Sequence, residues 1–427
     1  MESTSCPLER LPSEILTMLY RNLDSMFDLQ SIMRASPHVW RHLESDRQVS
    51  SILNELLQKD SIHRQLAFAV CTVAHLRHQS PQLTGQLNEL GLDVFEPGFN
   101  RPISNRPAEE ELFDKLPESM EALDVRSLLT TSGAIHATAS RCINCYLSRF
   151  HAMRPVRPSD GIKFDVRIDS WDDLPTDPRS LVPYTGAPLW TEFQQLLKAF
   201  WMLQFANLFF LHHRHRCFDI PEDCRDMEID DMKPIDLFGF ERQGRQEYHD
   251  RNRPRDYLFH MMQLFITAEE YLEEVKREGH KPPYSGLLSC ERNLGDSRIW
   301  PDVSETMEQF VRLFKEVRSL ENGDGFSPWR RLGFAVWDIT RPRKAGLVHR
   351  PKKDRDVDRV RWLSVIREEE FPRVQNHRQQ KRGNIVCYPE DSDESSKSRP
   401  YGTSIYWLHE NPRRSLALEF GKQAHGK

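Results

Sequence analysis

The segment LPSEILTMLYRNLDSMFDLQSIMRASPHVWRHL, Leu11 to Leu43, decides how the N-terminus of this chain is read. Leu11-Pro12 opens a helix, because proline at a first turn lacks an N–H that had no partner there. Ile15, Leu16, Leu19 and Leu23 then recur at helical spacing and predict one apolar stripe. Asn22-Leu23-Asp24-Ser25 interrupts the pattern, and Ser25 followed three residues later by Asp28 predicts a capped second helix. Leu29, Ile32 and Met33 form its apolar face. Ser36-Pro37 restarts the chain as N-cap and first helical residue, and Val39, Trp40 and Leu43 line a third helix. Three helices in under forty residues enclose little interior, so much of this apolar surface needs a second partner.

Beyond about Ser50 the helical pattern lengthens. Leu66, Val70, Val73 and Leu76 mark one helix, and Ile135, Ala139, Cys142, Tyr146 and Phe150 another. Across Tyr257–Val275 the apolar residues Leu258, Met261, Phe265, Ala268, Leu272 and Val275 alternate steps of three and four. Asp302 and Glu305 predict the start of a further helix carrying Met307, Phe310, Phe314 and Val317. In Leu196–Leu211, 13 of 16 residues are apolar, the exceptions being Lys198, Gln204 and Asn207. This run reaches only about 24 Å as a helix, short of the roughly 20 apolar residues a membrane span needs. It reads as a central core helix with a narrow polar edge.

Pro-punctuated loops are expected at Glu96–Pro107 and Arg154–Pro188, and short strands at Gly333–Thr340, Asn384–Tyr388 and Ser404–Leu408. Arg341–Arg361 carries nine basic and three acidic residues, and Glu390–Ser398 is an acidic serine run; both read as surface loops. The fold class expected is mainly α: an N-terminal three-helix module at residues 6–50, an irregular helical domain at 51–345, and charged loops with short strands packed on it at 346–427.

The 427 residues carry 59 basic and 64 acidic side chains, a net charge of -5, which provides no basic stripe for nucleic acid. Eight Cys in a chain this long make no disulfide framework, and Glu2, Glu9, Arg10 and Glu14 interrupt any secretory signal. A cytoplasmic or nuclear protein is expected, with no membrane partner. Cys142-Ile143-Asn144-Cys145 has zinc-ligand spacing, and His212, His213, His215, Cys217 and Cys224 could complete a tetrahedral set. Cys142 falls on an apolar helical stripe, however, where a thiol behaves as a small hydrophobe. No metal or cofactor is expected. The basic residues of His212–Arg216 suit a helix C-terminus, and Arg350-Pro351-Lys352-Lys353 a solvated loop. No GxSxG, HExxH, Walker or GxGxxG pattern occurs, and a non-enzyme is expected.

Leu11-Pro12-Ser13-Glu14-Ile15, Leu19, Leu23-Asp24, Asp28-Leu29, Ile32 and Trp40-Arg41-His42-Leu43 resemble the F-box motif. Ala35-Ser36-Pro37-His38-Val39 departs from the Val-Cys-Lys/Arg common before the tryptophan, and is similar to the F-box-like segments of fungal proteins. The resemblance implies docking to a Skp-type linker protein and through it to a cullin. It implies that Leu11, Pro12, Ile15, Leu19, Leu29, Ile32 and Trp40 form that docking surface or its support, with a protein substrate held by the rest of the chain. Two other readings remain: a helical interaction scaffold without a ligase, and a helical enzyme with an unrecognised site. An exposed apolar face on the three helices favours the first; burial of that face on the body favours the scaffold.

Overall fold

The computed structural model describes residues 7–45, 49–59, 62, 64–78, 115–117, 120–155, 157–158, 176–177, 182–214, 255–278, 326–347, 362 and 365. A 3-10 turn at Pro7–Arg10 leads into α1 (Ser13–Asn22), α2 (Met26–Ala35) and α3 (Pro37–Ser45), followed by α4 (Val49–Leu57) and α5 (Arg64–His78). The long helices are α6 (Ala122–His151), α7 (Trp190–Arg214) and α8 (Arg255–Glu278), and the one-turn helices α9 (Ser327–Arg330) and α10 (Thr340–Lys344) close the order. Among the described residues the fold is mainly helical. The expected helix beginning at Asp302, the strands at Asn384–Tyr388 and Ser404–Leu408, the acidic run Glu390–Ser398 and the loop Glu96–Pro107 lie outside them.

The punctuation read from residues 11–43 has its counterparts in the structure. Pro12 is the N-cap of α1, one position ahead of the first turn, with extended ψ (152°). Ser25 Oγ accepts from Asp28 N–H at 3.1 Å and donates to the Asp28 carboxylate at 2.7 Å, starting α2. Ser36 Oγ accepts from Val39 N–H at 3.4 Å at the start of α3. The boundary expected at residue 50 falls inside α4, which packs on α1, α2 and α6.

Two helices make the centre. α6 contacts α2, α4, α5 and α7, and α7 contacts α5, α6 and α8. A helix covered on three sides must be apolar nearly all round, and Leu196, Phe200, Trp201, Met202, Phe205, Ala206 and Phe209 of α7 are buried. The polar edge expected on this helix is not a solvent edge: Lys198 and Gln204 are buried, and Lys198 Nζ donates to Gln65 Oε1 of α5 and meets Met261 Sδ of α8 at 3.1 Å. Among the described residues no helix is long and apolar enough to cross a membrane.

α6 begins well before Ile135. Thr130 and Thr131 interrupt the apolar period there, yet each hydroxyl donates to a carbonyl one turn back, at 2.8 and 3.0 Å, so the polar groups are satisfied within the helix. Gly133 lets α2 approach: a Cβ there would lie 1.6 Å from Gln30 Oε1. Within the expected loop Arg154–Pro188, Arg157–Pro158 and Thr176–Asp177 pair as two short antiparallel strands.

Gly333–Thr340 is not a strand. Phe334, Ala335, Val336 and Trp337 are all fully buried, so there is no in–out alternation for a sheet to use. The backbone instead folds into tight turns, with Val336 N–H and Trp337 N–H both donating to Gly333 O at 2.8 and 3.1 Å. Gly333 has φ +80°, and a Cβ there would stand 2.6 Å from the Trp337 ring. Trp329 Nε1 donates to Trp362 O at 3.0 Å, and Phe334 packs on Trp362 with ring centroids 4.6 Å apart.

Charge–charge contacts fasten this segment to the long helices. Arg330 spans to Glu270 of α8 through Nε (3.0 Å) and Nη2 (2.7 Å), and to Gln263 Oε1 through Nη1 (2.6 Å). His260 of α8 bonds Ala335 O at 3.0 Å. Arg341, expected on a solvated basic loop, is instead buried against Glu192 of α7, their side chains 2% and 0% exposed. Its Nε and Nη2 meet the two Glu192 oxygens at 3.0 and 2.8 Å. The remaining N–H groups reach Thr185 Oγ1 (2.7 Å), Gly186 O (3.1 Å) and Ala187 O (2.8 Å), so all five guanidinium donors are used. Glu192 also accepts from Leu189 N–H (2.8 Å) and Asp338 N–H (3.0 Å). Burial pushes the Glu192 carboxyl up, and these four donors pull against that.

Removing one partner of a pair this buried leaves an uncompensated charge. Arg341→Met is expected to lower the free energy of unfolding by about 3–5 kcal/mol in urea titrations. Arg341→Met with Glu192→Gln is expected to cost less than the sum of the single changes. A loss under about 1 kcal/mol for the single change would show that the pair does not hold the segment.

Candidate functional site

Of the three N-terminal helices only α1 has exposed large apolar side chains, Ile15 and Met18, while the large apolar residues of α2 and α3 are buried or half-buried. Leu16 and Tyr20 of α1 are buried, and Tyr20 Oη donates to Val39 O at 3.2 Å. The C-terminal end of α1 is held by α4 and the residues just after it: Lys59 Nζ donates to Arg21 O and Leu23 O, and Arg21 pairs with Glu55 at 3.3 Å. A cation at those carbonyls suits the negative end of the helix dipole. With one side of α1 fixed in this way, the opposite side is left to solvent.

That outer side carries Pro12, Ile15 (44% exposed) and Met18 (60% exposed), with half-buried Leu11 and Leu19 at its margin. At 3.6 residues per turn Ile15, Met18 and Leu19 share one side of α1 with the N-cap Pro12, and Leu11 precedes the helix in the turn closed on Leu8 O. Glu14, Arg10, Arg21 and Asn22 are exposed polar residues of the same segment. Polar residues thus edge a small exposed apolar strip. Met18 was not among the residues expected here. Its signal was present as an apolar residue three after Ile15, but the sequence does not reveal which half of the stripe α4 would cover.

The other expected residues lie differently. Leu29 is 0% exposed at the centre of α2, so it supports the fold of the module and offers a partner no surface. Ile32 and Trp40 are half-buried and pack on the common core. Trp40 is covered by the Arg126 guanidinium of α6, 5.3 Å from its ring centroid. Thus Pro12 and Ile15 are exposed, Leu11 and Leu19 are half-buried and pack on the core as Ile32 and Trp40 do, and Leu29 is fully buried.

The seam between module and body is aromatic. Phe27 of α2 stacks on His136 of α6 at 3.9 Å with an interplanar angle of 7°, and Phe193 of α7 meets the same imidazole edge-on at 4.9 Å. Burial lowers the His136 pKa to about 4, so this ring is neutral at physiological pH.

The Cys142–Cys145 pair sits where α6 faces α8, beside Tyr146, whose hydroxyl donates to Thr267 O at 3.0 Å, and the Arg149–Glu274 ion pair. Burial pushes the Cys142 thiol well up, which keeps it protonated and unreactive. Among the described residues no group of three or more His, Cys, Asp or Glu side chains could hold a metal ion. His212 lies half-buried near the end of α7. His215, Cys217, Cys224 and the Arg350–Lys353 segment lie outside the described residues. Comparison with protein-family models, with curated proteins and with solved structures finds no match.

Burial sorts these residues by what their removal does. Leu29→Ala is expected to cost about 2–5 kcal/mol of stability. Ile15→Ala and Met18→Ala are each expected to stay within about 0.5 kcal/mol. Thermal or urea unfolding of the three variants measures this. A large loss at Ile15 would mean that α1 turns its outer strip inward.

Proposed function

We propose that this protein is a non-catalytic substrate-recognition adaptor of a Skp–cullin–F-box type ubiquitin ligase. The observation that carries the reading is the apolar strip of Pro12, Ile15 and Met18, edged by Leu11 and Leu19, left exposed on a helix whose other side is anchored. It falls on the segment whose residues resemble the F-box motif. In this reading the strip docks a Skp-type linker protein, the linker binds a cullin, and the helical body holds a protein substrate. Ubiquitination is then accelerated by raised effective concentration, with bond-making left to other subunits. Such an adaptor works in the cytoplasm or nucleus and needs no cofactor.

A second reading has its own observation. α2 is locked to the body through the Phe27–His136 stack and the close approach at Gly133, which suits three helices acting as a structural cap of an interaction scaffold. The two readings separate on the outer strip, because a cap has no use for it.

Truncating exposed Ile15 and half-buried Leu11 removes roughly 3–4 kcal/mol of burial in a complex, about 10²–10³-fold in affinity. Leu11→Ala with Ile15→Ala is therefore expected to lose the linker and cullin in a pull-down from cells, with the chain still folded by circular dichroism. Absence of linker binding in the unaltered full-length protein would sink the adaptor reading and leave the scaffold.

A further inference from the structure

Thr185 stands between a fixed cation and a titratable ring. Its hydroxyl accepts from Arg341 Nη1 at 2.7 Å and lies 3.0 Å from His151 Nε2. Its backbone N–H points at the same nitrogen, 3.3 Å away. An N–H only donates, so Nε2 must present its lone pair, and the neutral ring carries its proton on Nδ1. The hydroxyl, with a lone pair committed to Arg341, has its hydrogen free for Nε2. The bond from Thr185 N–H therefore requires an unprotonated Nε2, whereas the hydroxyl can donate to that nitrogen or accept from it.

Around the ring, among the described residues, stand Arg341 of α10, the Tyr184 ring at 5.3 Å, and Phe150 of the same helix at 6.2 Å. Glu192 lies beyond Arg341 and is engaged by it. Among the described residues the histidine thus faces a cation, with no carboxylate beside it to welcome a second one.

We propose that His151 is an acid-sensitive latch on the loop 182–187, released when a proton on Nε2 turns an acceptor into a donor. Protonation sets that N–H against Thr185 N–H, breaking one bond, and puts an imidazolium opposite the Arg341 guanidinium across one hydroxyl. Arg341 then shares its Thr185 contact, and its hold on the loop weakens. Tyr184, 78% exposed and packed on His151, moves with it. The latch does not depend on what docks to α1.

The direction with pH follows from the same contacts. Burial and then the Arg341 charge hold the His151 pKa below the ordinary 6.5. The folded loop binds fewer protons than the released one, so the latch is fully closed above about 6.5 and opens as pH falls below it. His136 and His260 are held at about 4 and stay neutral at pH 5.5, and His151→Gln separates the latch from any protonation of Glu192, whose carboxyl burial pushes up.

Hydrogen–deuterium exchange of the full-length protein at pH 7.5 and 5.5, scaled to the rate of an unstructured chain at each pH, tests this. Loss of protection at pH 5.5 is expected over residues 182–187, with α6 and α7 unchanged. His151→Gln, whose side-chain oxygen accepts but does not titrate, is expected to keep the loop protected at both values. Equal protection of the unaltered loop at both pH values would overturn the proposal, as would the same loss in His151→Gln. A His151 ring titrating at or above 6.5 by NMR would overturn it independently of either variant.

Discussion

The Glu192–Arg341 pair joins three pieces of chain that share no local pattern: the loop before α7, the first turn of α7, and the turn-rich segment leading into α10. Isolated charges in such a place would be costly, and a bare ion pair would gain little over apolar groups of the same shape. What makes this one tolerable is its completeness. Five guanidinium donors and four bonds to the carboxylate leave no buried polar group of the pair without a partner. The Trp337 ring lies against the guanidinium, its centroid 4.9 Å away, and excludes water from one face. Such a network specifies geometry more than it adds stability, because few alternative packings satisfy every donor.

The same logic recurs along the C-terminal segment. Arg330 does for α8 what Arg341 does for α7, and His260 satisfies Ala335 O between them. Phe326, Trp329, Phe334, Trp337 and Trp362 then fill the space these polar contacts define. Directional bonds set the register of the segment, and aromatic burial contributes most of the driving force. The α6–α7 centre is built in reverse: apolar packing dominates, with Lys198 and His136 as polar exceptions held by specific neighbours.

The N-terminal helices depend on this body without being consumed by it. Their inner residues enter the common core, α2 stacks against α6, and α4 fixes one side of α1. The remaining strip faces solvent because α1 is attached through one face only. A helix held that way is pre-organised, so a partner meeting the strip loses little ordering entropy from this chain.

Residues 11–43 were legible because caps and apolar spacing are local: Ser25 with Asp28, and Ser36 with Pro37, act within one turn. The long helices were legible for the same reason, and α6 was read too short only where hydroxyls bonding within the helix hid its period. Gly333–Thr340 was misread because an apolar run is compatible with a strand or a buried turn, and the choice rests on Gly333 at positive φ beside Trp337. Arg341 was misread because a basic run resembles a solvated loop, and its acidic partner lies 149 residues away in sequence. On α1 the sequence determined that an apolar stripe exists, while its division into Leu16 and Tyr20 inside and Ile15 and Met18 outside was decided by where α3 and α4 pack. Periodicity and capping are written in neighbouring residues; burial and ion pairing depend on which distant surfaces meet, and only the tertiary structure decides that.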